Sequence, residues 1–469
     1  MSISRLDELA VSPGFVCHTL ALCADLLDLQ RAQPQRYPHL LESVSHGTPQ
    51  ARYDILFAFP RRTLTLLSGG RLMRDDRPAG FGDFLEAFDR EWQECRQSTL
   101  SAAHTASTLP FTGGWFVYLG YELVSQIESR LGGMTTDQDL PVANVTRFPA
   151  AIIRDRVGCV THLVCELDAA QSLMPKMEED LRYLASYDET AIELAKLTEE
   201  EPERYLDSVK RTLAYIGAGD VFQVNLSRTW EALLDRPVSA AALYSCLRRA
   251  NPAPFAGLMM LDQDTAVVSS SPERLVRVDK RRISTRPIAG TYPRSPDREQ
   301  DRRWSQELLG HPKERAEHVM LIDLERNDLG RVCRTGSVHV NEFMVLETYS
   351  HVHHIVSEVS GVLSDDVTPA QIIRAVFPGG TITGCPKVRC MEIISELECT
   401  PRGSYTGSMG YINHDGSMDL NILIRTMVLQ GDHIRLRAGA GIVADSKPLR
   451  ELQETRAKAK GMLVALGCT

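Results

Sequence analysis

The chain has 469 residues, 43% of them hydrophobic, enough for one large core or for two to four domains of ordinary size. Its net charge of −9 argues against a general nucleic-acid or anionic-membrane binder, because counterion release needs clustered Lys and Arg. The opening MSISRLDELAVSPGF lacks a basic start followed by an apolar run. No stretch approaches the roughly 18 apolar residues of a membrane span, so a cytoplasmic protein is expected.

In chain order, YDILFAF (53–59), GWFVYLGYEL (114–123) and AAIIRDRVGCVTHLVCEL (150–167) read as strands. An acidic, helix-forming stretch over 168–203 follows and is the expected seam between an N-terminal part, 1–190, and a C-terminal part, 191–469. Beyond it, TAVVSSSPERLVRV and RISTRPIAGT read as neighbouring strands, and HPKERAEHVMLIDLERNDLG as a helix closed by Gly330. EFMVLETYSHVHHIVSEVSGVL reads as an extended pair. PAQIIRAVF, PKVRCMEIISELE and PLRELQETRAKAKGMLVAL read as helices. YTGSMGYINHDGSMDLNILIRTMVL and HIRLRAGAGIVA read as strands with Asp-Gly turn chemistry. Strands and helices mix without βαβ alternation, so the fold class is α+β.

Several stretches could carry chemistry. Glu314 and Glu317 share a helical face, as do Glu451 and Glu454, and the four together would make an oxygen-rich site for a hard cation such as Mg²⁺. The competing reading is a solvated helix surface, with Lys458 pairing Glu454. FPGGTITGCPK (377–387) is a glycine-rich loop entering a helix, suited to an anion, but Cys385 and Pro386 stand where a nucleotide-binding loop needs Lys and Ser or Thr. Gly439-Ala440-Gly441 allows close backbone approach to a ligand or merely a tight strand. In SHVHHIV, His351 and His353 share one strand face and His354 takes the other; no third ligand for zinc is evident. Glu273, after Pro272 at a turn between apolar runs, is either a partly buried proton donor or a turn carboxylate paired with Arg274 or Arg277. The eleven cysteines form no CxxC pair and read as free thiols, and no GxSxG or HExxH occurs.

Taken in order, Gln223 in GDVFQVNLSR, SPERL, RPIAGT, RAEHVMLIDLERNDLGRV, VHHIVS, FPGGTITGCPKVRCMEII, MDLNILIRT, AGAGIVADS and ELQETRAKA resemble the chorismate-utilising enzyme family, densely over 220–460 and more loosely through LLESV and LPFTGGWFVYLGYEL. The resemblance implies an interwoven fold of two packed antiparallel β-sheets with helices outside. It implies that 1–190 contributes to the sandwich and a tryptophan pocket at Ser43, Pro254 and Phe255, and that 191–469 binds chorismate. Glu317 and Glu454 would be the direct Mg²⁺ ligands, with Glu314 and Glu451 in support. Gly290, Thr291, Thr381, Tyr405, Arg425, Gly439, Ala440, Gly441 and Lys458 would line the substrate. Glu273 would protonate the departing C4 hydroxyl, and His354 would handle protons near the ring.

Members that add water to chorismate typically carry a Lys base where this chain has Gln223. An amide is a poor base, so the resemblance implies attack by ammonia, supplied by a separate glutamine amidotransferase. Two aminating branches remain. Ala289, which cannot be a covalent nucleophile, matches the anthranilate-forming branch. FPGGTITG, and NPAPFAG in place of NPSPYMF, match the branch that aminates C4 to 4-amino-4-deoxychorismate for 4-aminobenzoate and folate synthesis. The second branch is the expectation, by way of a noncovalent 2-amino-2-deoxyisochorismate. A tryptophan-binding or scaffold subunit without activity is the alternative from another class.

Overall fold

The structure, a computed structural model, describes residues 8–12, 14–44, 52–99, 108–187, 191–348 and 352–468. Among them, 13 strands form one antiparallel sheet and 12 form a second. The first runs from Glu8–Ser12 at one edge through Tyr53–Ala58 and Phe255–Met260 to His433–Ile442, Gln223–Leu234 and Leu194–Glu199 at the other. The second runs from Ile288–Pro293 and Val352–Val362 through Arg274–Asp279 and Met418–Asn421 to Gly114–Leu119 and, finally, Arg77–Phe81. Residues 1–190 give strands to both sheets, so both halves of the chain build one sandwich.

The period-2 alternation of the strands creates the layers. On Tyr53–Ala58, Ile55 and Phe57 enter the core between the sheets, while Leu56 and Ala58 enter a separate core. On Gly114–Leu119, Phe116 and Tyr118 face inward, and Trp115, Val117 and Leu119 face outward. Phe57 and Phe116 meet edge to face with ring centres 5.2 Å apart. Each such buried ring contributes about 2–3 kcal/mol of burial free energy, so this aromatic seam is a main tie between the sheets. Helices cover the outer faces: Ala240–Ala250 and Pro448–Ala465 on the first sheet, Phe84–Thr99, Pro312–Gly330 and Pro369–Val376 on the second.

The expected helices over 312–330, 369–376, 387–398 and 448–465 form, as do the strand pairs. The stretch 168–203 differs from expectation. It holds the helices Leu167–Arg182 and the start of Pro202–Gly217, but Leu194–Glu199 is an edge strand paired with 230–234. Its side chains are mostly exposed, so its composition carries no burial signal, and backbone pairing alone makes it a strand. No helix among the described residues is long and apolar enough to cross a membrane.

Candidate active site

The site begins where Gln223–Leu234 and His433–Ile442 pair, with Val224 opposite Ile442, Asn225 opposite Gly441 and Ser227 opposite Gly439. Val224, Leu226, Ala440 and Ile442 point into an apolar core beneath helices Pro202–Gly217 and Lys387–Glu398. The other face therefore presents Gln223, Asn225, Gly439 and Gly441. Both glycines are required by close approach. A Cβ on Gly441 would lie 2.4 Å from Gln223 Nε2, and one on Gly439 would lie 2.6 Å from the Tyr405 hydroxyl. Lys458 Nζ donates to the Gly439 carbonyl at 3.0 Å and pairs with Glu454 at 2.9 Å. Ala440 belongs to the core side, so its contribution to the site is backbone only.

Strand Thr265–Ser271 ends at the turn that carries Glu273. The turn is fastened: Glu273 N donates to Ser271 Oγ at 3.2 Å, and Ile422 N donates to the Glu273 carbonyl at 3.0 Å. Arg274 pairs with Asp419 and Arg277 with Asp279, so neither neutralises Glu273. The Glu273 side chain is 5% exposed, and its Oε1 has no hydrogen-bond partner. Burial pushes its carboxyl up to about 7; the Thr381 hydroxyl and Lys458 oppose that rise and the Glu325 carboxyl adds to it.

Thr381 lies in the short turn Gly380–Ile382, held to the Gln223 strand by Asn225 N donating to the Thr383 carbonyl at 2.9 Å. Arg425 follows Met418–Asn421 and carries a left-handed backbone, φ +54°, an uncommon conformation for a side-chain-bearing residue and one that clusters at functional sites. Its carbonyl accepts from Ser270 N at 3.1 Å. Among the described residues its guanidinium has no hydrogen bond or ion pair. Burial pulls its pKa below the usual arginine range, with Tyr405 opposing. His354, opposite Thr291 on the neighbouring strand, is pulled down to about 4, chiefly by burial; the Gly290 backbone opposes and the Arg425 charge adds. It is therefore a neutral imidazole near pH 7. His353, on the other face, bonds Asp301 and Thr348 instead. His351 and the side chains of Ala289 and Thr291 lie outside the described residues.

Among the described residues, Gln223 Oε1, Asn225 Oδ1 and Glu273 Oε1 are thus buried polar atoms without partners on the walls of one site, beside an arginine without a counterion. Folded proteins rarely leave so many buried polar atoms unpaired, and a polar, anionic ligand satisfies the set. Asn225 was not singled out from sequence, although it stands two residues from Gln223 and strand period places it on the same face.

Of the expected metal residues, Glu314 lies beside Gly290, and Glu451 and Glu454 lie on the helix that carries Lys458. A Cβ on Gly290 would lie 3.0 Å from Glu314 Oε2, and Glu451 and Glu454 both raise the pKa of the buried Tyr205 phenol. Among the described residues no three His, Cys, Asp or Glu side chains gather as a metal cluster. Ser43, Pro254 and Phe255 come together elsewhere. They line a cavity of about 830 Å³ that none of Gln223, Glu273, His354, Thr381 or Arg425 lines, and Ser43 Oγ donates to the Pro254 carbonyl at 2.8 Å.

Comparison with known proteins agrees with this geometry. A family model described as chorismate binding enzyme matches residues 73–464. Anthranilate synthase component 1 of Thermus thermophilus is 39% identical over 444 residues, covering 93% of this chain and 94% of its own. Aminodeoxychorismate synthase component 1 of Bacillus subtilis is 39% identical over 451 residues, covering 93% of each. The crystal structure of anthranilate synthase component I from Streptococcus pneumoniae superposes with a TM-score of 0.77 at 31% identity, over 89% of this chain and 93% of that one. Every wall of the site from Gln223 to Lys458 lies inside the matched stretch, and the chain belongs to the chorismate binding enzyme family.

Proposed function

We propose that this chain aminates chorismate at C4, giving 4-amino-4-deoxychorismate, with ammonia supplied by a separate glutamine amidotransferase. Gln223 carries the reading. Its amide is buried against Gly441 with Oε1 unpartnered, and an amide cannot activate water as a base. Ammonia needs no such activation. That the Thermus and Bacillus relatives are both named as component 1 supports a partner subunit.

In this reading Arg425 grips a substrate carboxylate bidentately. Glu273, protonated to about pH 7, gives its proton to the C4 hydroxyl, which leaves as water. Ammonia attacks C2 as the ring double bond shifts, and the new ammonium releases a proton that restores Glu273. A second ammonia then attacks C4 of the resulting 2-amino-2-deoxyisochorismate as the double bond shifts back; the C2 amine takes a proton and leaves as ammonia, and the new C4 ammonium gives one up. The balance is one ammonia consumed and one water released. Ala289 offers no nucleophile, so the intermediate stays noncovalent. Neutral His354 donates or accepts a hydrogen bond at the ring.

Glu314, Glu317, Glu451 and Glu454, which do not gather as a cluster among the described residues, would be a carboxylate-only donor set suited to a hard cation if brought together. Mg²⁺ held there would neutralise the ring carboxylate. Chelation with EDTA is expected to abolish turnover, with Mg²⁺ restoring it; full activity in EDTA would remove the ion from the reading.

A second reading, anthranilate formation with loss of pyruvate, is favoured by the equal identity to the Thermus relative and by the Ser43–Pro254–Phe255 cavity. Product identity separates the two. The purified chain is incubated with chorismate, Mg²⁺ and ammonium, and half the sample is treated with aminodeoxychorismate lyase. 4-Aminobenzoate only in the treated half supports the proposal. Anthranilate with stoichiometric pyruvate in the untreated half overturns it.

A further inference from the structure

We propose that Arg402 is a positioning residue: through two backbone carbonyls it fixes the Thr381 turn against the strand that carries Gln223 and Asn225. The inference rests on these walls forming the site where chorismate reacts, and not on which product leaves.

Strand Gln223–Leu234 has a gap along one side. It pairs with Gly384–Cys385 at Gln223 and Val224, and with Leu194–Glu199 only from Trp230 onward. Between these its backbone turns to other partners. Asn225 N donates to the Thr383 carbonyl at 2.9 Å, the Asn225 carbonyl accepts from Arg402 Nη2 at 2.8 Å, and Ser227 N donates to Glu398 Oε1 at 2.8 Å. Buried backbone groups need partners, and Glu398 and Arg402 supply them where the ladder is missing.

A guanidinium carries five N–H donors in a rigid fork, and Arg402 uses all five. Nε and Nη2 donate to the two Glu398 oxygens at 2.9 and 2.7 Å. Nη1 donates to the Ile382 carbonyl at 3.1 Å and to Thr406 Oγ1 at 3.2 Å, and Nη2 also holds the Asn225 carbonyl. Ile382 adjoins Thr381, and Asn225 shares the site face with Gln223. The same guanidinium lies 5.5 Å over the ring of Tyr405, a further wall. Arg402 thus acts through the walls it joins.

Arg437 is the built-in control. It grips the same carboxylate, Nη2 to Glu398 Oε2 at 2.9 Å, and both arginines are 4% exposed. Its other side-chain bonds among the described residues go to Ser227 Oγ, Thr400 Oγ1 and the Pro401 carbonyl. Because two cations share Glu398, losing either still leaves that buried carboxylate paired.

The test compares Arg402→Lys with Arg437→Lys in the full chain, with Arg402→Gln and Arg437→Gln in reserve should a lysine variant not fold. Lysine keeps a charge for Glu398 but puts one nitrogen in place of the fork, so it cannot span both carbonyls. Loss of chorismate absorbance with Mg²⁺ and ammonium gives the rate, and thermal melts give the folded fraction. Both positions should lose similar stability. At position 402, kcat per folded molecule is expected to fall about 100-fold with chorismate KM within about threefold, since a wall displaced by about 1 Å costs that much in rate while Arg425 keeps its grip. At position 437, kcat should stay within about twofold, since no wall is displaced. Equal kcat losses at both positions, no loss at 402, or no folded protein from either Arg402 variant overturns the proposal. Chorismate loss is read whatever forms from it, so anthranilate as product would overturn the C4 reading and leave this contrast standing.

Discussion

Glu273 and Arg274 are consecutive residues whose side chains meet opposite treatment. Arg274 lines the large cavity and is matched: Nε and Nη2 donate to Asp419 at 2.8 and 2.9 Å, and its guanidinium stacks 4.7 Å over the Phe255 ring. Glu273 is left with an unpartnered oxygen, a raised pKa and a like charge behind it. Arg425 repeats the second pattern with the opposite sign, a half-buried cation without a counterion among the described residues. Arg274 at the cavity has its charge satisfied, while Glu273 and Arg425 at the candidate site have partners withheld among the described residues. The withheld partners mark where chemistry is expected, since a group already paired with protein cannot respond to a substrate.

Breaking the unmatched side should damage turnover, and breaking the matched side should damage only the fold. Glu273→Gln is expected to lower kcat on the order of 1,000-fold with little change in KM or in circular dichroism, because general-acid catalysis is lost while shape is kept. Arg274→Met should instead cost about 2 kcal/mol of stability by stranding Asp419, with kcat within about twofold; chemical denaturation and steady-state rates read both. An Arg274→Met kcat loss as large as that of Glu273→Gln would erase the contrast. Arg425→Ala should raise KM about 100-fold through loss of a bidentate charge-assisted pair, with partial rescue by guanidinium in the assay.

The contrast also has a pH signature. Glu273 titrates near 7 in the folded chain and near the ordinary glutamate value when unfolded, so its folded pKa is raised. Its neutral form costs nothing at low pH, and stability is lost as pH rises through about 7. Glu273→Gln should remove that loss, becoming more stable than wild type above pH 7 by on the order of 2 kcal/mol, while the two converge below about pH 4. Thermal melts across that window check the sign. Gly441→Ala is expected to have the mildest effect. Its new methyl displaces the flexible end of Gln223, so kcat should fall about tenfold with stability nearly unchanged.

Much of this was legible in the sequence because it rests on local patterns. Pro312 and Gly330 bracket a helix whose first turns carry Glu314 and Glu317 on one face, and strand period sends His353 and His354 to opposite sides. What sequence could not reveal depends on which side of an element is covered. Glu325 carries no burial signal in the sequence, yet its helix lies against the Thr381 turn as well as the sheet, so that position is buried. Leu194–Glu199 reads as acidic helix because its strand identity comes only from an edge partner about 35 residues away. Glu454 shows both readings meeting in one residue: it pairs with Lys458, as a surface helix glutamate would, and that lysine in turn caps the Gly439 carbonyl at the site wall.

The most direct measurement is a crystal structure of Glu273→Gln soaked with chorismate and Mg²⁺. The account predicts chorismate between Gln223 and Arg425, a carboxylate on the Arg425 guanidinium and the C4 hydroxyl against residue 273. Chorismate in the Ser43–Phe255 cavity, or a carboxylate turned away from Arg425, would contradict it.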